Sequence, residues 1–235
     1  MLKRPLLSVN ILCWNTFKTV HETVHILVDE LRNIEHEVII VDNGSNDGCE
    51  KLATIRNEVN LGISKGKNQG IDASKGEYIF LLDGDIVPVP NSIRCLLAYM
   101  EEHRDIDALG FRPDKFGNQK NDYGIQKYCH KLDPVVEHEG HCIYYGMYRR
   151  SVFERGVRMD ESYGVGYGWE DLDSFMQMKK LGIKQWSAGI NAISGKYYHE
   201  INSSIRQMGM AEYMKTSLKR SQLYKEKWEQ PCLTS

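Results

Sequence analysis

No apolar run in this chain approaches the roughly 18 residues that a membrane-spanning helix needs. The first residues lead into a strand-like segment of about eight apolar-rich residues, too short for a secretory signal with a cleavage site. A soluble, cytoplasmic protein is expected, at most peripheral at a membrane surface. A large charge excess is also lacking: 30 Lys and Arg stand against 32 Asp and Glu, a net charge of −2. Nucleic-acid binding usually shows as a strongly basic face, so no nucleic-acid partner is expected. The six cysteines include no Cys-x-x-Cys pair, which favours reduced thiols in a reducing compartment. Cys129-His130 and His141-Cys142 could share a zinc ion only at a spacing that fits no common zinc motif. Buried thiols and loop histidines are the alternative. Internal repeats and low-complexity segments are absent.

What is present suits one sizeable core, or two tightly joined lobes: 41% hydrophobic residues over 235 positions. The first hundred residues alternate strand and helix. Strands are expected at 6–12, 37–41 and 78–82, and helices at 19–32, 49–55, 64–74 and 91–102. Ser64 and Asn91 are the expected N-caps. Such alternation implies an α/β fold with a mostly parallel sheet flanked by helices. Residues 107–140 read as a polar connection or hairpin that could face an acceptor. Strand-like sequence returns at 141–150, followed by a short helix at 151–155 and a helix at 170–181. A last helical region spans 203–228, with acidic Glu212, Glu226 and Glu229 diluting its basic residues. It is expected to pack on the core or to form a homodimer, with membrane contact as the third option.

Ligands of parallel sheets bind at the carboxyl ends of strands. Asp83-Gly84-Asp85 ends the apolar run 78–82, and Asp42 ends the run 37–41. Two carboxylates one residue apart suit a hard divalent cation, Mg2+ or Mn2+, shared with substrate phosphates. Asp42 could accept from a base N–H or a ribose hydroxyl, or could cap its strand in an Asx-turn. Small residues and lysines between Gly62 and Gly70 could form an anion site at a helix start. An ordinary surface helix is the alternative, and the Walker pattern is absent. Glu170, Asp171 and Asp173 suit a helix dipole. Behind a glycine-rich loop carrying Trp169, one of them could equally be a general base beside an aromatic sugar platform. His199 gains interest only where a metal needs another ligand.

Taken together, these motifs resemble glycosyltransferase family 2, enzymes of the GT-A fold that use nucleotide sugars. The resemblance covers roughly the first 200 residues. Residues 7–15, ending at Asn15, look like the opening strand, although Cys13-Trp14 departs from the usual Pro-Thr-Tyr-Asn. Residues 41–48 match the nucleotide-binding turn, and Asn60, Gly62, Lys67 and Asn68 belong to the next motif. The sequence Gly166-Tyr167-Gly168-Trp169-Glu170-Asp171-Leu172-Asp173 is similar to the galactosyltransferase element Gly-Trp-Gly-x-Glu-Asp-x-Asp, with Trp169 two positions beyond the usual tryptophan.

The resemblance implies a GT-A domain over residues 1–202, with a nucleotide-binding half (1–102), an acceptor and catalytic half (103–202), and a helical extension at 203–235. It implies a metal held by Asp85, Asp83 and His199. Donor contacts would come from Asp42, Asn15, Asn60, Gly62, Lys67, Asn68, Asp83 and Trp169. Asp171 would be the base of an inverting displacement, with Glu170 orienting a sugar. The implied donor is a UDP-hexose or UDP-N-acetylhexosamine, and the acceptor is a glycan, lipid-linked or protein hydroxyl. A non-catalytic sugar-binding module and a nucleotidyltransferase are the competing classes.

Overall fold

The computed structural model describes residues 4–112, 132, 135–137, 145–189, 198–199 and 207–229. Cys129, His130, His141, Cys142 and residues 113–131 of the expected acceptor-facing segment lie outside the described residues. So does the side chain of His199.

The chain opens with β1 (Leu7–Cys13), α1 (Phe17–Glu30), β2 (His36–Asp42), β3 (Ile55–Arg56), α2 (Ile63–Ala73) and β4 (Tyr78–Asp83). A single 3-10 turn at Cys49–Lys51 stands where a short helix was expected. Next come β5 (Ile86–Val87), α3 (Ser92–Glu102), β6 (Ala108–Arg112), β7 (Val135–Glu137), β8 (Tyr145–Arg149), α4 (Arg150–Glu154) and α5 (Glu170–Lys180). The remaining elements are β9 (Gln185–Gly189), β10 (Tyr198–His199) and α6 (Met210–Trp228).

Eight strands form one sheet in the order β3-β2-β1-β4-β8-β6-β9-β7. Strands β3, β2, β1 and β4 run parallel. β8 is antiparallel to both of its neighbours, and β7 is antiparallel to β9. Leu12 of β1 pairs with Asp83, and Cys13 pairs with Asp42. Both acidic strand ends therefore stand on one rim.

The alternation of β4 decides which core each side chain joins. Tyr78, Phe80 and Leu82 pack with Leu7, Ile11, Leu96 and Tyr145 on one face. Ile79 and Leu81 pack with Ile71, Tyr148, Val152 and Met178 on the other. Burial on both faces explains why β1 and β4 read as nearly continuous apolar runs.

Two expected caps are replaced by other contacts. Gly62, not Ser64, precedes α2. Asn91 precedes α3, but its side chain donates to the Cys95 sulfur instead of accepting a helix N–H. Glu30, at the end of α1, accepts from the amides of Ile93 (2.6 Å) and Arg94 (3.1 Å). The free N–H groups of α3 thus find their acceptor on another helix, a substitution that local sequence does not reveal. Burial drives the Glu30 carboxyl up to about 7, against the opposing pull of these amides.

Helix α6 packs against the body through Arg220 and Tyr224, its two buried residues. Met210, Met214 and Leu218 lie exposed on its outer side. No described helix is long and apolar enough to cross a membrane.

Candidate active site

The parallel rim opens into a cleft lined by Cys13, Trp14, Asn43, Asn60, Asp83, Asp85, Tyr167 and Met208 among others. Helix α2 reaches this rim because Gly66 lies against β1. A Cβ at Gly66 would stand 2.4 Å from a methyl carbon of Leu12. The close approach carries the next residue, Lys67, inward. Its side chain is 4% exposed, and its ammonium lies 3.0 Å from Asp83 Oδ1 and 3.6 Å from Asp171 Oδ1. Burial disfavours the Lys67 charge, but the Asp83 and Asp171 carboxylates outweigh it and hold the ammonium well above its ordinary pKa. Burial raises the Asp83 carboxyl, Lys67 opposes the rise, and Asp85 and Asp171 add to it. Lys67 is thus the cation that lets two acidic clusters, far apart in sequence, share one site.

The glycine loop closes the cleft from the other side. Gly62 has φ +90°, and a Cβ there would stand 2.5 Å from the Gly164 carbonyl oxygen. The segment leading into α2 and the loop therefore touch backbone to backbone. Tyr167 follows in the loop and lines the cleft. Burial raises its hydroxyl pKa, as do Asp85, Asp83, Asp171 and Glu170 in turn. Tyr167 is a site residue that the sequence reading passed over in favour of Trp169. The signal was present, since Tyr167 occupies the usual tryptophan position of the resembled element. Trp169 instead sits at the N-cap of α5 with φ +78°, its ring 5.3 Å from that of Tyr224.

Glu170 is buried, and its Oε2 accepts from Arg220 Nη1 at 2.7 Å. Burial and Asp171 push its carboxyl up to about 7 despite Arg220. Asp173 is wholly buried; it accepts from Trp228 Nε1 (2.6 Å) and Gln177 Nε2 (2.7 Å) and pairs with Lys227.

The expected donor residues divide into two groups. Asn60 lines the cleft, and its Oδ1 accepts from Gly62 N (2.8 Å) and Asn43 Nδ2 (2.9 Å). Asp42 is fully buried; Oδ1 accepts from Ser45 N at 3.1 Å, and Oδ2 lies 3.8 Å from Arg56 Nε. The Ser45 bond reaches three residues on, one beyond an Asx-turn bond, and ties Asp42 to the turn that follows its strand. Asn15 braces the same turn, donating from its amide to Ser45 Oγ and accepting from Asn46 N. Asn68 turns away to Met159 and Glu161.

Among the described residues, no group of three or more His, Cys, Asp or Glu could hold a metal ion. Asp83 and Asp85 do offer hard oxygen donors in one cleft. The backbone of His199 pairs with Ile86, the residue after Asp85. The two carboxylates are of the oxygen-donor type that suits Mg2+ or Mn2+.

The Glycosyl transferase family 2 profile matches residues 8–160. The chain belongs to this family. It is 28% identical over 145 residues to an uncharacterized glycosyltransferase of Methanocaldococcus jannaschii, covering 55% of this chain and 50% of that protein. S. aureus TarS, solved in complex with UDP-GlcNAc, superposes with a TM-score of 0.58 at 18% identity, over 78% of this chain and 58% of that one. A mannosyltransferase of Pyrobaculum calidifontis, solved with GDP-Man and Mn2+, superposes with a TM-score of 0.55 at 14% identity, over 78% of this chain and 55% of that one. These likenesses establish the GT-A type of fold. The chain spans about half or less of the length of the curated relatives it matches.

Proposed function

We propose that this family 2 member transfers a sugar from a nucleotide-diphosphate donor to an acceptor hydroxyl with inversion. Asp171 acts as general base, and Asp83, Asp85 and His199 hold a divalent cation. The observation that carries this reading is the Lys67 bridge, which sets the acidic end of β4 beside Asp171. Solved relatives of the same fold hold UDP-GlcNAc, or GDP-Man with Mn2+, which supports a nucleotide-sugar donor and a metal.

When bound, the cation supplies positive charge that neutralises the departing nucleoside diphosphate. Asp171 accepts the acceptor's hydroxyl proton as that oxygen attacks the anomeric carbon. The bond from that carbon to the diphosphate oxygen breaks in the same displacement, and the configuration inverts. Lys67 fixes the Asp171 carboxylate and balances its charge before the acceptor arrives. Asn60 and its neighbour Asn43 present the nucleotide wall, and Tyr167 presents an aromatic face to the sugar. Glu170 acts through its buried pair with Arg220 and not by touching a sugar. A UDP-linked hexose or N-acetylhexosamine is the proposed donor, and a glycan, lipid-linked or protein hydroxyl the proposed acceptor.

The test is incubation with Mn2+ and a panel of UDP-glucose, UDP-galactose, their N-acetylamino forms and GDP-mannose, following nucleoside diphosphate release. Release with one donor, abolished by a chelator, is expected. Asp171→Asn should lose about 100-fold or more of turnover while still binding the nucleoside diphosphate. Full turnover in that variant would sink the base assignment. Binding of the donors without release by the wild type would favour a non-catalytic sugar-binding module. Release of pyrophosphate from a nucleoside triphosphate and a sugar phosphate would favour a nucleotidyltransferase.

A further inference from the structure

Arg220 is the largest fully buried side chain among the described residues, at 1% exposure. It lies on α6, beyond the region matched to the family, and the proposed chemistry uses it only as the partner of Glu170. Its guanidinium makes four bonds, all to one short stretch of chain. Nε donates to the Tyr163 carbonyl (3.1 Å), Nη2 to the Gly164 carbonyl (2.8 Å), and Nη1 to the Gly168 carbonyl (2.8 Å) and to Glu170 Oε2 (2.7 Å). These acceptors bracket the glycine loop that carries Tyr167 into the cleft and leads into Asp171.

The loop is also held by the Gly164 N–H bond to the Glu161 carbonyl (3.0 Å) and by ring contacts of Tyr167 with Tyr213 and Trp169 with Tyr224. Gly164, Gly166 and Gly168 have positive φ, and glycines by themselves permit many loop conformations. A Cβ at Gly166 would meet Arg220 Nε and Thr216 Cβ, each at 3.1 Å, so the loop backbone is seated directly on α6. A planar fork spreads five donors over three nitrogens in fixed geometry and reaches carbonyls set apart along a loop, whereas an ammonium offers three donors from a single nitrogen.

We propose that Arg220 is a positioning residue for sugar transfer, fixing loop 164–169 against α6 so that Tyr167 and Asp171 stand correctly over the donor cleft. This rests on the function proposed above. Arg220 touches no reacting atom; it acts through the loop backbone and Glu170.

The test compares Arg220→Lys with Trp228→Phe. The second variant, elsewhere on α6, shrinks a ring that Lys227 covers and removes the Trp228 Nε1 bond to Asp173 of α5, and so controls for simple loosening of α6. Hydrogen exchange of peptides covering 163–170, thermal unfolding, and kcat and KM for the donor that the wild type turns over are measured for each. Both variants should unfold at lower temperature than the wild type. Arg220→Lys should speed loop exchange at least about tenfold. It should lower kcat on the order of 100-fold, as displaced catalytic groups do, with donor KM changed less than about threefold. Trp228→Phe should leave loop exchange and kcat near wild type. Unchanged loop exchange in Arg220→Lys would overturn the proposal, as would an equal kcat loss in both variants. Loop exchange is read without substrate. Faster exchange in a protein that turns over no donor would therefore keep the loop-holding role and reject the reaction assigned to it.

Discussion

Replacing Lys67 by Met removes a buried ammonium while keeping nearly the same shape and length. At an effective dielectric of about 20, an ammonium 3.0 Å from one carboxylate oxygen and 3.6 Å from another interacts favourably by about 5 kcal/mol with each. Desolvation of three charges offsets much of this, so the pair sum is not the net stability. The comparison that matters is with the broken state. Without Lys67, Asp83 and Asp171 face one another and Asp85 in a largely buried site. Breaking a buried ion pair typically costs about 3–5 kcal/mol, because the remaining charge is stranded. For a chain of this size, about 2–4 °C in Tm accompanies each kcal/mol, so Lys67→Met should melt roughly 10 °C lower. Urea unfolding at pH 7.5, with and without Mn2+, measures the loss. A cation bound by Asp83 and Asp85 would replace the missing charge, so Mn2+ should stabilise the variant more than the wild type. The double variant Lys67→Met, Asp83→Asn should recover part of the loss, since one stranded carboxylate is then gone. A Lys67→Met protein within about 1 kcal/mol of wild type would refute the reasoning, because it would mean that the ammonium is not the charge holding these carboxylates together.

Gly62→Ala should destabilise by about 3 kcal/mol and loosen nucleoside diphosphate binding, because its Cβ meets the Gly164 backbone and its φ is positive. Gly156→Ala also has positive φ but has nothing within 4 Å; it should cost only about 1–2 kcal/mol and leave binding intact, as calorimetry and thermal melts can check. Glu30→Gln tests the tertiary cap of α3. The folded-state pKa of Glu30 is raised to about 7 from an ordinary 4.5, so the folded protein binds the extra proton between those values. Wild-type stability should therefore fall as pH rises through that window, and Glu30→Gln should flatten part of the fall in urea titrations from pH 4.5 to 8. An unaltered slope would reject the assignment.

The first hundred residues were legible because their strands are buried on both faces, which forces continuous apolar runs ending in Asp42 and Asp83. The strand β9 escaped notice because Gln185, Ser187 and Gly189 lack an apolar pattern; it is a strand because β6 and β7 pair with it. Strands β3 and β5 are two residues each and exist only through their partners. Arg220 left one trace in sequence. It falls on the helical stripe of Tyr213, Thr216 and Tyr224, where a charged residue is out of place unless it is paired.

By itself, the sequence determined the alternating α/β core, the rim of carboxylates and the family, since periodicity and short motifs are local properties. It also held Asp171 and Glu170 together as neighbours on one helix start. The tertiary structure alone decided that Asp171 meets Asp83 through Lys67, and that Glu170 turns to Arg220. Each of those pairings joins segments distant along the chain, and which partner a buried charge finds depends on how the helices stack against the sheet.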